Sequence, residues 1–168
     1  MRRPKEEMYK DLDLVAIGSV VDIVPMVDEN RILVKYGISR IPRSKKTGIK
    51  ALLEETGLSH GVTSYHLGFI IGPRINACGR LHEAQSALEL FLTQDMSHAL
   101  RLASSLSLDN QKRKEIEDQI CEDAASLIQT TGCDKDRVMI VASEGWHEGV
   151  LGIVASRLAS DYDRPAIV

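Results

Sequence analysis

Between Asp95 and Thr131 the chain carries neither proline nor glycine, and Ala99, Leu102, Leu106, Ile116, Ile120 and Leu127 recur on a helical period. That pattern predicts one long helix, N-capped by Asp95 and stopped by Gly132. Its middle, "SLDNQKRKEIED", is polar nearly all round. A helix with a wet middle bridges two bodies rather than lying in one core.

Upstream, Leu14, Ile17, Val21 and Val24 fit one face of a helix over 11–25, ended by Pro25. Asn30 is placed to cap a second helix reaching about Arg40. The stretch "RIPRSKKTGIK" predicts a basic surface loop, and a short helix around 48–56 ends at Gly57. Thr63 or Ser64 opens the segment "SYHLGFIIGPRINACGRL", which Gly72-Pro73 is expected to interrupt; Ala84 to Leu92 is helical again. Downstream, Val138–Ala142 is an apolar run of strand length. A loop punctuated by glycines follows, and then Val150, Leu151, Ile153, Val154 and Leu158 mark the buried face of a helix. Residues 164–168 open another strand. The expected fold is α/β overall but helix-rich. It comprises a helical lobe over 1–93, a connector helix over 94–132, and over 133–168 the beginning of an α/β lobe that stops mid-domain.

Composition sharpens this only in part. Of 168 residues, 43% are hydrophobic and 27% charged, which is globular composition. No apolar run has the length of a membrane span, and the charged start lacks a signal-peptide core, so a cytoplasmic setting is expected. Three cysteines, at 78, 121 and 133, form no CxxC pair and no disulfide framework. Cys121 reads as packing and Cys133 as loop. His60, His66, His82 and His98 lack zinc-site spacing and read as surface or packing residues. The net charge of −3 means that a nucleic-acid contact must come from a local patch. The basic runs 40–50 and 112–114 read as solvated faces.

Three stretches carry candidate chemistry. In "GSVVDIVPM", Asp22 stands alone among apolar neighbours. It is either a carboxylate satisfied by nearby donors or a ligand for a hard divalent metal. Asp11 and Asp13, close by, read as a solvated helix start. In "GPRINACGRL", Arg74, Asn76 and Arg80 sit among small residues. They suit either phosphate oxygens or a structural turn with the arginines paired to acids such as Glu83. In "SEGWHEGVLGIVASRLA", Trp146, the only tryptophan, stands beside His147 where a helix begins. A base can stack on such an indole, a helix N-terminus suits an anion, and Arg157 follows two to three turns on. The other reading is a core plug, with Gly145, Gly149 and Gly152 serving close packing. No G-x-x-x-x-G-K-[ST] motif is present, which excludes a P-loop.

Taken in order, "LDLVAIGSVVDIVP…ENR", "IGPRINACGRL" and "GWHEGVLGIVASRLA…YDRPAIV" resemble the RecJ family of single-strand-specific 5′→3′ DNA exonucleases, within the DHH phosphoesterase superfamily. The resemblance runs from about Leu12 to Val168. It implies that 1–93 is the C-terminal part of a DHH catalytic domain. The long helix would then lead to a DHH-associated domain that opens at the GWH motif. Asp22 matches an aspartate that helps hold Mn2+ or Mg2+. Arg74, Asn76 and Arg80 match the lining of the DNA path. Trp146, His147, Gly149, Ser156 and Arg157 match the DNA-facing wall of the associated domain. The implied reaction is metal-assisted hydrolysis of phosphodiester bonds in single-stranded DNA, in repair and recombination.

The departures are equally specific. The Asp-His-His triplet and the family's early aspartates are absent, as is its later Gly-Gly-His motif, and Cys78 stands where alanine is usual. The chain is therefore expected to be an internal or truncated piece, inactive alone. Two other readings stay open: a DHH relative acting on short oligonucleotides or cyclic dinucleotides, and a non-catalytic module binding single strands or a repair partner. An unfinished sheet would leave an edge through which two copies can pair.

Overall fold

The computed structural model describes residues 9–58, 60–81 and 84–168. The first helix, α1 (Leu12–Val21), stops short of Pro25. Ile23 takes a left-handed φ of 55°, its N–H donates to Val20 O, and the Val24 N–H donates to Ser19 O. That bond pair is a Schellman stop, which usually has glycine at the left-handed position. Here a β-branched residue holds it. The second helix, α2 (Asp28–Arg40), is preceded by Val27 rather than capped by Asn30. Asn30 lies in the first turn, where its Nδ2 donates to Pro25 O. Late in α2, Gly37 presses on the start of α1: a Cβ there would lie 2.1 Å from Leu12 O and 2.6 Å from Ala16 Cβ.

The expected basic loop is only partly loop. Residues Ile41–Arg43 form a 3-10 turn, and Ile41 is fully buried. Helix α3 (Thr47–Glu55) follows and ends as expected at Gly57, whose φ is 68°. Gly72-Pro73 does not interrupt the next segment. Helix α4 (Ser64–His66) passes into a π-turn (Leu67–Ile71) and on into α5 (Gly72–Leu81). The Gly72 N–H donates to Leu67 O, five residues back. This wider turn lets a proline follow without breaking the helix. The four histidines divide: His60 is exposed, His66 is part of a capping box with Thr63, His98 Nε2 lies 2.8 Å from Glu89, and His82 lies outside the described residues.

After α6 (Gln85–Leu92) comes the long helix α7 (Met96–Thr131). Asp95 caps it as expected, its Oδ1 accepting from the N–H groups of Ser97 and His98. Gly132 ends it in a left-handed conformation. The chain divides along this helix into two compact units, 1–110 and 111–168. The core of the first unit joins Ala16 and Ile17 of α1 to Ile41, Ile49, Leu52, Leu67, Ile71, Leu90 and the Ala99, Ala103, Leu106 stripe of α7. The polar middle is not wet all round, because Asp109 and Asn110 are buried. They follow Leu106 by three and four residues, which keeps them on the stripe's face.

In the second unit, Ile120, Ala124 and Ile128 of α7 pack with Met139, Val141, Val150, Val154 and Leu158. Strand β1 (Met139–Ile140), helix α8 (Glu148–Tyr162) and strand β2 (Ala166–Ile167) form one parallel β-α-β unit. Its register pairs Met139 with Ala166 and Ile140 with Ile167. Among the described residues no helix is long and apolar enough to cross a membrane.

Candidate nucleic-acid interface

The end of α1 and the start of α5 meet in the first unit. A Cβ on Gly72 would lie 2.9 Å from Val21 Cγ2 and 2.8 Å from Leu67 O in the preceding π-turn, so the bare glycine lets α5 start close against the end of α1. Val21 immediately precedes Asp22, and Arg74 lies two residues beyond Gly72. The first two sequence stretches are thus drawn together where Gly72 meets the Val21 side chain.

Asp22 is not the enclosed carboxylate that its neighbours suggested. It is exposed at the C-terminal end of α1, where its N–H donates to Gly18 O. The apolar residues around it fall on both sides of the Schellman stop, and Ile23 is 86% exposed. Among the described residues no group of three His, Cys, Asp or Glu side chains is placed to hold a metal. One carboxylate does not satisfy Mn2+ or Mg2+, which take about six oxygen ligands, so the described residues do not fit such a centre alone.

Asp13, by contrast, is buried at 4% exposure, against the expectation of a solvated helix start. Its Oδ2 accepts from Ser44 Oγ at 2.7 Å and its Oδ1 from Lys46 Nζ at 2.6 Å. Lys46 also donates to Lys10 O and lies 3.3 Å from Asp11. Burial pushes the Asp13 pKa up, but the hydrogen bonds from Lys46 and Ser44 and the Lys46 charge outweigh it, and the net shift is downward.

Arg74 is half-buried in α5. Its Nε donates to Ser107 Oγ at 3.0 Å and its Nη1 to Ile70 O at 2.6 Å. These bonds fix the guanidinium and leave Nη2 for an outside acceptor. Asn76 and Arg80, four residues apart, are exposed on α5. The alternative pairing with Glu83 lies outside the described residues.

In the second unit, His147 is the N-cap of α8, its Nδ1 accepting from the Gly149 N–H at 3.1 Å. One of the N–H groups expected to await an anion is therefore already satisfied. Trp146 is half-buried against the second core and lines an open cleft of about 590 Å³ with Ile116, Ile120, Gln119 and His147. Glu115, Asp123 and Glu144 line the same cleft. Its electrostatics suit the apolar face of a base better than a phosphate. Ser156 is exposed on α8. Arg157 is not free: its Nη1 lies 2.8 Å from Asp118 and 3.8 Å from Glu117. The bond to Asp118 raises its pKa above the usual arginine value. Glu117 also pairs with Arg113, one turn away.

A helical unit and a parallel α/β unit strung on one long helix is the class of molecule these elements define. Within that class the chain is similar to RecJ, the single-stranded-DNA-specific exonuclease. It is 37% identical to the protein of Bacillus subtilis over 94% of this chain and 20% of that protein. It is 44% identical to the protein of Haemophilus influenzae over 93% of this chain and 28% of that protein. Among solved structures, RecJ of Thermus thermophilus in complex with Mn2+ matches at a TM-score of 0.84 and 35% identity, over 94% of this chain and 24% of that one. The same protein in complex with Mg2+ matches at 0.83 and 33% identity, over 94% and 25%. No family profile matches the chain. The RecJ resemblance drawn from the three stretches is borne out over nearly the whole chain, which spans a fifth to just over a quarter of the curated relatives.

Proposed function

We propose that this chain is part of a metal-dependent exonuclease that hydrolyses single-stranded DNA from its 5′ end; its relatives are named single-stranded-DNA-specific exonucleases. In this reading 1–93 closes the DHH catalytic domain, 94–132 is the connector and 133–168 opens the DHH-associated domain. The observation that carries it is the approach of Gly72 to Val21, which brings the end of α1, beside Asp22, to the start of α5, beside Arg74. Asp22 would contribute one carboxylate to a Mn2+ or Mg2+ centre whose other ligands lie outside the described residues. The metal would supply charge neutralisation and an activated water. Arg74, held by Ser107 and Ile70, would offer its remaining nitrogen to a phosphate oxygen, with Asn76 and Arg80 on the same helix. Trp146 would stack on a base, His147 would shape the loop, and Gly149, Ser156 and Arg157 would line the strand.

The exposed Ile23, at 86%, supports a part of a larger enzyme, because apolar surface next to the proposed metal ligand Asp22 calls for cover. The chain alone then hydrolyses nothing in Mn2+ or Mg2+. Trp146 emission, titrated with single-stranded and with duplex DNA at two salt concentrations, tests the reading. A change selective for single strands and weakened by salt is expected. An equal response to duplex, no response at low salt, or nucleotide release by the chain alone overturns it.

A further inference from the structure

Lys10, Arg40, Arg43, Lys45 and Lys46 line a cleft of about 670 Å³ whose acids are Asp11 and Asp13. Five cations face two carboxylates in a protein whose net charge is −3. Both oxygens of Asp13 are already taken by Ser44 and Lys46, and Lys46 reaches Asp11 as well. Among the described residues Arg40, Arg43 and Lys45 have no acidic partner. The cleft therefore concentrates uncompensated positive charge on one side of the first unit.

The backbone beneath these cations is fixed. Ile41 is fully buried, Pro42 sits in the 3-10 turn, and Ser44 is tied to Asp13. Arg40 caps that turn and Arg43 ends it, at i and i+3, where 3-10 geometry sets side chains one above the other with a rise of about 6 Å. Two arginine forks so placed suit neighbouring phosphates on one strand. The cleft also stands at the N-terminal end of α1, whereas Asp22 stands at its C-terminal end, about 15 Å away along ten residues of helix.

We propose that this cleft is a second contact for nucleic acid, in which Arg40, Arg43 and Lys45 hold the phosphodiester backbone away from the Asp22 end. It reads phosphates and no bases, so it adds affinity without strand selectivity. The proposal rests on the nucleic-acid reading above for its choice of polyanion.

The test is fluorescence anisotropy of a labelled 20-nucleotide single strand with the 168-residue chain, across a salt series, with Trp146 emission read in the same titration. The variant Arg40→Gln/Arg43→Gln/Lys45→Gln is compared with Lys112→Gln/Lys114→Gln/Arg137→Gln, which removes the same charge elsewhere. The cleft variant should bind at least about tenfold more weakly, with the slope of log K against log salt reduced by roughly two, at about 0.7 per lost phosphate contact on a single strand. The control should keep most of both. A cleft variant that binds like the parent, or like the control, overturns the cleft even if Trp146 still responds. Cleft-dependent binding with a silent Trp146 keeps the cleft and overturns the exonuclease reading. Absence of binding at low salt overturns both. Circular dichroism melts of the two variants verify that each is folded.

Discussion

Lys46 Nζ lies 2.6 Å from Asp13 Oδ1, joining the start of α1 to a turn 33 residues later. Asp13 is nearly sealed from solvent, and its charge persists because Lys46, Ser44 and the Leu14 N–H meet it. Taking one partner away leaves the other buried and unmatched, which costs more than the pair itself contributes. Lys46→Met should therefore lower stability by about 2 kcal/mol, the range for a hydrogen bond to a charged group, as read by urea unfolding. A loss no larger than that of an exposed lysine such as Lys50 would sink the idea.

The same carboxylate sets a pH dependence. Its folded pKa is lowered, because the Lys46 and Ser44 bonds outweigh burial. A depressed folded value means that the contribution is complete above the unfolded-state pKa of about 3.9. It is lost as pH falls through the lower folded value. The stability gap between the parent and Asp13→Asn should be constant from neutral pH to about pH 5 and close below the ordinary carboxylate range. Thermal melts from pH 7 down to pH 2 measure it, and a gap that does not narrow in acid contradicts the assignment.

Ile23 occupies the left-handed position of the α1 stop with a φ of 55° and with its side chain in solvent. A β-branched residue pays about 1–2 kcal/mol there, and glycine returns part of that in backbone entropy. Ile23→Gly should raise stability by about 0.5–1 kcal/mol, a rise of about 2–4 °C in Tm at most. Because Asp22 directly precedes the strained residue, equal stability in the variant would indicate that the strain is absorbed elsewhere.

Much of this architecture is legible in local pattern, and what escapes it either lacks the usual local residue or depends on distant partners. The long helix announces itself through Asp95, Gly132 and an unbroken apolar period, all within reach of one another. The α1 stop does not, because its left-handed residue is isoleucine instead of glycine. Pro73 misleads for a related reason: a π-turn has no residue signature of its own, so the proline looks like a break. Burial of acids fails most clearly. Apolar neighbours point to Asp22, which is exposed, whereas Asp13 is buried and met by side chains 31 and 33 residues away. The candidate site is legible as residue types in order, whereas the engagement of Arg157 with Asp118 and of His147 with Gly149 appears only in three dimensions.

Gly72 carries the approach of α5 to α1, and a methyl there meets both Leu67 O and Val21 Cγ2 inside 3.0 Å. Gly72→Ala should cost about 1–3 kcal/mol through overpacking. Adding Val21→Ala removes one of the two clashes and should recover part of the loss, giving a favourable coupling in a double-mutant cycle. Strictly additive effects would mean that the two residues do not press on one another.

Arg157 is engaged by Asp118 at 2.8 Å on an exposed face. Solvent screens such a pair, so neither Arg157→Gln nor Asp118→Asn should move Tm appreciably. Binding separates them. If Arg157 meets a phosphate, Asp118→Asn releases it and tightens single-strand binding on the order of a few-fold at low salt, while Arg157→Gln weakens it. Parallel changes in the two variants would remove Arg157 from the strand's path.

His147 presents two roles that one substitution series can part. As the N-cap of α8 its Nδ1 accepts from the Gly149 N–H, and the helix behind it carries Val150, Val154 and Leu158 into the second core. His147→Ala should then cost about 1 kcal/mol, the usual penalty for a lost cap, while His147→Asn supplies a capping oxygen and keeps most of that stability. A residue that only shapes the loop would regain single-strand binding in the Asn variant together with its stability. A residue that also touches the strand would regain stability alone. Melting temperature and Trp146 titration on the same two variants decide between them, and they also decide whether the GWH stretch acts on the strand through its histidine or only beside it.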